Sequence, residues 1–279
     1  MSADAEIREG NRFGFGANWT RFLALVDEDR IAGAETSLRE MLSISDLQGR
    51  RFLDIGCGSG LFSLAARRLG AEVYSFDFDS QSVACARELK RRFFPDDARW
   101  RVEEGSVLDE NFVAGLGTFD VVYSWGVLHH TGSMWAAIEN AISRVARPGG
   151  ILYVAIYNDQ GWKSHAWWFV KILHNRLPRF LRTPFALAIT AATHVLVTLK
   201  QAIRLQPLSV FSSLSKAPPR GMSAKYDMLD WIGGFPFEFA TFETLEAYFK
   251  SRGFAVQNSR RCTSLGCHEL ALQLVKCVD

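Results

Sequence analysis

Acidic side chains are missing from a long stretch of this chain. Between Gln160 and Tyr226 there is no aspartate or glutamate, against ten lysines and arginines. The rest of the 279 residues holds 22 basic and 30 acidic side chains. A basic segment therefore sits on an acidic body, although the net charge of +2 hides it. Long apolar runs are lacking too. The strongest, Pro184 to Leu199, is 16 residues and contains His194, which is too short and too interrupted for a membrane-spanning helix. Cysteine is scarce. Cys57, Cys85, Cys262, Cys267 and Cys277 show no metal-ligand spacing, since Cys262 and Cys267 are too far apart for a C-x-x-C pair. The odd count and a polar start (Met1 to Glu6) without an apolar signal core predict a reducing, cytoplasmic setting. No internal repeat or low-complexity tract is present. The 48% of hydrophobic residues can fill one α/β domain with an elaboration, or two small domains.

What the chain does have is a strand, a glycine turn and a helix in succession. Phe52 to Ile55 is a short apolar run with one acid, Asp54, and reads as a buried parallel strand. Gly56, Gly58 and Gly60 alternate with small residues. Leu61, Leu64 and Ala65 then share one helical face. Such a turn lets a ligand lie against bare backbone, close to the N–H groups of a helix start. It suits a nucleoside-like cofactor. The dinucleotide fingerprint G-x-G-x-x-G does not fit, because its third glycine would fall on Leu61 or on Ser63. A dehydrogenase is disfavoured on that ground.

The pattern Asp54-x-Gly56-x-Gly58-x-Gly60 resembles motif I of the class I S-adenosylmethionine (SAM)-dependent methyltransferases. The next strand, Ala71 to Asp77, ends in an acid 21 residues after Gly56. An acid there can accept hydrogen bonds from both ribose hydroxyls. Asp79, followed by Ser80, reads as a helix N-cap. Arg99 to Asp109 contains a third strand and its exit, Phe119 to Ser124 is a fourth strand, and Ile151 to Tyr157 a fifth after the turn Arg147-Pro-Gly-Gly150. Helices are expected over Ser80–Arg92 and Ser133–Val145. Across residues 48–158 this order looks like the same family. The resemblance implies a Rossmann-like, doubly wound α/β sheet of seven strands, order 3-2-1-4-5-7-6, with SAM as cofactor. It implies cofactor contacts at Asp54, Gly56, Gly58, Gly60, Asp77 and Phe78. Ser106 and Val107 would lie at the adenine, and Ser124 and Trp125 beside the methionine part. Many members carry Asp where Ser106 stands; serine can still accept from the exocyclic amine.

Four segments are expected. Residues 1–49 form an N-terminal helical arm, 50–158 the cofactor core, 159–225 a basic, apolar helical insert, and 226–279 the completion of the sheet. In the arm, Phe13, Phe15 and Trp19 either pack it onto the body or, as the resemblance implies, form a lid with Trp19 over the cofactor. Asn18 or Thr20 is a candidate cap for its first helix. In the insert, Phe185, Ile189, Ala192, Leu196, Leu199 and Ile203 make an apolar stripe near Trp162, Trp167, Trp168 and Phe169. The insert reads as a cap on the sheet, as a surface over residues 162–220 for anionic lipid, or as a protein contact. It is too apolar for a solvated nucleic-acid groove, so no nucleic acid is expected. Thr241 caps a later helix that Gly253 ends. The stretch Trp231-Ile-Gly-Gly-Phe-Pro-Phe-Glu238 is loosely similar to the ubiquinone-biosynthesis O-methyltransferase group.

Methyl transfer is an in-line displacement for which the protein positions and desolvates the acceptor. His129 and His130 are the candidate bases, at the carboxyl end of the fourth strand where ligands of an open α/β sheet bind. One of the two imidazoles is read as structural, and His130 as the one facing the acceptor. Tyr157 and Asp159 are second candidates. No spaced set of carboxylates supports a metal. The expected activity is O-methylation of a small-molecule or lipid-linked acceptor, at the inner membrane face if the insert meets lipid. The alternatives are a methyltransferase acting on RNA and a SAM-binding protein without methyl transfer.

Overall fold

A computed structural model describes residues 6–7, 9, 11–203 and 231–275 of the chain. Seven strands form one sheet in the order β3-β2-β1-β4-β5-β7-β6: β1 (Arg51–Ile55), β2 (Glu72–Asp77), β3 (Trp100–Glu104), β4 (Val121–Trp125), β5 (Ile151–Tyr157), β6 (Phe254–Arg260) and β7 (Cys267–Leu274). The first five pair in parallel, and β7 runs antiparallel to both β5 and β6. This is the expected sheet. Every residue of β1 except Arg51 is buried, as is most of β4 and β5, so these strands read as apolar runs rather than alternating ones.

The helices are α1 (Gly16–Leu23), α2 (Glu28–Leu42), α3 (Leu61–Arg68), α4 (Ser80–Phe93), α5 (Glu110–Gly115), α6 (Met134–Ile142), α7 (Trp162–Arg176), α8 (Arg179–Ile203) and α9 (Phe242–Ser251). Two apolar clusters cover the two faces of the sheet. One gathers Ile31, Leu38, Met41 and Leu42 of α2 with Leu61 and Leu64 of α3 over Phe52 and Tyr123. The other packs Ala137, Ile138, Leu245 and Phe249 over Leu53, Ile55 and Val122. Helix α2 thus belongs to the core. Phe22 and Leu23 of α1 lie in the same cluster, with Trp19 and Val26 packed against it.

Several boundaries shift for local reasons. The fourth strand starts at Val121; Phe119 instead makes an isolated parallel bridge to Val145. Neither Asn18 nor Thr20 caps the first helix. It starts at Gly16, and the Thr20 hydroxyl donates to the Gly16 carbonyl inside it. Asp27 caps α2 through the Arg30 N–H, Asp79 caps α4 through the Gln81 N–H, and Thr241 caps α9 through the Thr244 N–H. The N-terminus of α6 has no cap from Ser133; the Glu238 carboxylate accepts from the Met134 N–H at 3.0 Å. Phe185 and Ile189 of the apolar stripe are half-buried, whereas Ala192 and Leu196 are exposed. The side chains of Leu199 and Ile203, and residues 204–230 with Arg204, Lys216, Arg220 and Lys225, lie outside the described residues.

Candidate active site

The turn after β1 is built from close approaches. Gly56 and Gly58 have φ of +73° and +53°, the left-handed region that glycine occupies without strain. A methyl group at Gly56 would sit 2.4 Å from Val127, and one at Gly58 would sit 2.9 Å from the Trp19 ring. At Gly60 it would meet the backbone of Ala86 in α4 at 2.9 Å. Trp19 therefore lies directly on the turn. The acid at the tip of β2 faces the same place: Asp77 accepts from the Gly58 N–H and from the Asp79 N–H, each at 2.9 Å. Burial raises its carboxyl to about 6, against the pull of those two hydrogen bonds. The exit of β3 is tied in by the Gly105 N–H, which donates to the Asp77 carbonyl. There the Ser106 hydroxyl accepts from the Leu108 N–H, and Asn140 donates to the Val107 carbonyl at 2.8 Å.

Two residues expected near the cofactor turn inward. Asp54 is 2% exposed and stands at the end of a buried chain of donors: Trp100 Nε1 to Ser75, Ser75 to Ser63, and Ser63 to Asp54 at 2.5 Å. Burial raises its carboxyl to about 7. Ser124 is fully buried and its hydroxyl donates to the Ile55 carbonyl. Both side chains brace the turn from within the sheet. Trp125 is half-buried against the core.

The histidines occupy a short 3-10 turn, Leu128–His130, just after β4. His129 is fully enclosed. Its Nδ1 accepts from the Tyr157 N–H, its ring lies 3.9 Å from the Tyr157 ring, and burial holds its pKa well below the usual value. Its Nε2 is buried without a hydrogen-bond partner. His130 Nδ1 donates to the Pro236 carbonyl at 2.5 Å, which leaves the lone pair on Nε2. Burial and the nearby Lys171 and Arg12 charges hold it neutral, with a pKa of about 3. Tyr157 stands 5.3 Å from it. Asp159 is engaged elsewhere, accepting from the Gly161 N–H ahead of α7.

The arm roofs this ground. The Phe15 ring lies 5.0 Å from His130 and 4.9 Å from Phe13. Phe13 donates its N–H to the Phe235 carbonyl, and the Gly16 N–H donates to Asp79. Arg12 donates to the His130 carbonyl at 2.9 Å and lies 4.9 Å from the centre of the Phe78 ring. The structure thus brings Gly58, Asp77, Phe78 and His130 under one strap that ends in Trp19. Arg12 and the second role of Asp79 were not foreseen from sequence. Nothing local marks either: Arg12 binds a carbonyl 118 residues away. A cleft of about 370 Å³ lined by Arg51, Glu72, Tyr74 and Arg101 lies at the other ends of the strands, the wrong end for an open α/β sheet. Among the described residues, no three His, Cys, Asp or Glu side chains are grouped to hold a metal ion.

A family model described as "Methyltransferase domain" matches residues 26–258. The chain belongs to this methyltransferase-domain family. The ubiquinone biosynthesis O-methyltransferase of Rhodopseudomonas palustris (strain TIE-1) is 32% identical over 128 residues, 46% of this chain and 47% of that protein. The protein of the same name from Rhizobium rhizogenes is 33% identical over 121 residues, covering 43% and 46%. The chain spans about half the length of the curated relatives it matches. Among solved structures, the magnesium protoporphyrin IX methyltransferase of Synechocystis PCC 6803 with bound S-adenosylhomocysteine superposes with a TM-score of 0.53 at 16% identity, over 92% of this chain and 94% of that one. An O-methyltransferase family protein from Burkholderia thailandensis gives 0.51 at 15%, over 89% and 58%. These likenesses show the methyltransferase-domain fold.

Proposed function

We propose that this methyltransferase-domain protein uses SAM to methylate an oxygen of a small-molecule or lipid-linked acceptor by in-line transfer. One observation carries the reading: the left-handed glycines Gly56 and Gly58 lie against Val127 and the Trp19 ring, and the Asp77 carboxylate accepts from the Gly58 N–H at the same turn. These groups fit the cofactor. Asp77 would hold the ribose hydroxyls, Phe78 and the Ser106–Val107 loop the adenine, and the strap from Arg12 to Trp19 would exclude water. When bound, SAM supplies a methyl group already activated on a sulfonium, so the protein has only to position and desolvate the acceptor.

His130 is assigned to the acceptor. Its Nε2 lone pair can accept a hydrogen bond from a hydroxyl, and the Nδ1 bond to Pro236 fixes the ring. A base held near 3 cannot strip an ordinary alcohol. His130 therefore orients a hydroxyl that is already acidic, such as a phenol or enol. The names of the curated relatives support oxygen as the receiving atom.

The lipid-linked part of the proposal rests on the outer surface of the insert. Trp162 is 75% exposed, Phe180 76% and Leu196 65%, beside exposed Lys163 and Arg176 and no acid. Such a face suits the surface of an anionic membrane on its cytoplasmic side. Among the described residues no helix is long and apolar enough to cross a membrane.

The cofactor reading is tested by isothermal titration with S-adenosylhomocysteine. Wild-type affinity in an Asp77→Ala, Gly56→Val double variant would overturn the site. Transfer of label from SAM into a lipid extract or a small-molecule extract tests the reaction. Flotation with phosphatidylcholine vesicles, with and without phosphatidylglycerol, tests the surface; failure to float with either removes the membrane contact.

A further inference from the structure

Helix α7 is inside out. Trp162, Ala166, Phe169 and Leu173 share one face and point to solvent, with Phe169 67% and Leu173 50% exposed. The opposite face carries Ser164, Lys171, His174 and Asn175, all 5% exposed or less. A surface helix ordinarily turns its apolar stripe to the core. Here the polar stripe is the buried one.

The buried face is also under-satisfied. His174 Nδ1 and Asn175 Oδ1 have no hydrogen-bond partner, and neither has the buried indole Nε1 of Trp231. The Asn175 amide is held in a defined orientation, because its Nδ2 donates to the Lys171 and Gly233 carbonyls at 2.9 and 2.7 Å. Its oxygen is therefore aimed, not free to swing. Buried polar atoms are nearly always partnered, and clusters of exceptions call for an explanation.

These atoms lie across an aromatic partition from His130. The ring of His174 is 6.4 Å from Phe13, Phe13 is 4.9 Å from Phe15, and Phe15 is 5.0 Å from His130. On the other side Trp231 is 5.2 Å from Tyr157, which is 5.3 Å from His130. Two of the partition rings belong to the arm.

We propose that the inward face of α7 and Trp231 form an acceptor subsite for a planar, oxygenated ring system. His130 addresses the methyl-accepting oxygen at one end. At the other end, the Trp231 N–H donates to an oxygen, the Asn175 carbonyl oxygen accepts from a hydroxyl, and the His174 Nδ1 offers a further polar contact. A hydroxyl at the remote end satisfies both a donor and an acceptor. The ring between the two ends takes the place of Phe15 among Tyr157, Trp231 and Phe13. This rests on the methyltransferase reading of the same site and adds the far end of its acceptor.

The test uses the full chain saturated with S-adenosylhomocysteine, and ligand-observed NMR with two probe pairs: hydroquinone against phenol, and 4,4′-dihydroxybiphenyl against 4-hydroxybiphenyl. In at least one pair the dihydroxy member should bind about 4- to 20-fold more tightly, since the two equivalent orientations of a symmetric diphenol give a factor of about two and one net hydrogen bond about 2- to 10-fold. Trp231→Phe and His174→Phe keep planar rings and remove the unpartnered nitrogens. Each should shrink that preference, leave the affinity for S-adenosylhomocysteine unchanged, and leave the melting temperature unchanged or higher. A ratio of about two or less within both pairs in the wild type, or binding of no probe, overturns the subsite. So does a preference that survives both variants, which would assign these atoms to structural water. Failure of the wild type to bind S-adenosylhomocysteine is a separate result and sinks the cofactor reading instead.

Discussion

Asp77 should make S-adenosylhomocysteine binding depend on pH between 5 and 7, and Asp77→Asn should abolish that dependence. The carboxyl titrates near 6 in the fold because it is buried, against about 3.9 in an unfolded chain. The folded protein therefore holds a proton that the unfolded chain has released. This group's contribution to stability is full below about pH 4 and is lost as pH rises through 6, by at most about 3 kcal/mol. Binding runs the other way. Two ribose hydroxyls donate to the ionised carboxylate, so protons compete with the ligand below 6. Affinity should weaken about tenfold from pH 7 to pH 5, approaching a factor of ten per unit at the acid end.

Asparagine keeps the shape but turns an NH₂ toward one of the donors that Asp77 now accepts, Gly58 N–H or Asp79 N–H. It also loses the charge. One or two charge-assisted hydrogen bonds at about 1.5–3 kcal/mol each predict a loss of about 10-fold or more at pH 7. Asp54, which titrates near 7 beneath the turn, is the competing source of a pH slope. Asp54→Asn should keep the slope; Asp77→Asn should not. Isothermal titration at pH 5, 6 and 7, with circular dichroism confirming the fold at each, reads all three proteins. A flat wild-type profile, or a slope that survives in Asp77→Asn, refutes the ribose assignment.

Three further substitutions follow from the packing. Gly56→Ala puts a methyl 2.4 Å from Val127 at a φ of +73°, and should cost about 2–4 kcal/mol in urea unfolding; adding Val127→Ala should recover part of that, and full additivity would refute the contact. Ser63→Ala removes the donor to Asp54 from the buried chain and should cost about 1–3 kcal/mol, with no loss if the chain is incidental. His130→Phe should flatten the acid side of the stability profile. His130 is neutral in the fold, with a pKa near 3, and takes a proton below about 6.5 once unfolded. Its contribution is lost as pH falls, by up to about 1.4 kcal/mol per unit. Urea midpoints at pH 7 and pH 5 check this, and an unchanged slope in the variant would count against it.

The sheet was legible because its signals are local. Glycine spacing, the acid 21 residues on, and apolar runs such as the one that follows the Pro148-Gly149 turn each sit within one element or its exit. The direction of Asp54 was legible in principle and was missed. Strand residues alternate faces, so Asp54 shares the side of Phe52, which packs toward α3, where Ser63 stands. Leu53 and Ile55 take the other side. Motif matching assigns the acid to the ligand; pleat alternation sends it to the helix. Helix α2 was placed in the arm because it precedes the glycine turn. Its apolar face packs on Leu61 and Leu64 of α3, and its C-terminal end is tied from far along the chain: Gln257 and Asn258 donate to the Leu42 and Glu40 carbonyls across more than 200 residues. No local pattern carries that pairing.

Helix α7 shows why the insert resists a sequence reading, and why its two faces should be tested apart. Its tryptophans suggest an apolar stripe facing the core, yet Lys171, His174 and Asn175 recur at 3 and 4 residues and mark the opposite face just as clearly. A helix with two readable faces gives its orientation only if one face must be inside. Elsewhere in this protein the apolar face wins because burying it is favourable by about 25 cal/mol per Å². In α7 that gain is forgone at Trp162 and Phe169, and polar atoms are desolvated without partners. Both costs are lifted if the inner face meets an oxygenated ligand and the outer face meets something other than water. A protein that floats with anionic vesicles but shows no probe preference would remove only the outer cost. One that shows the preference but never floats would remove only the inner. Each half of the insert then stands or falls on its own measurement.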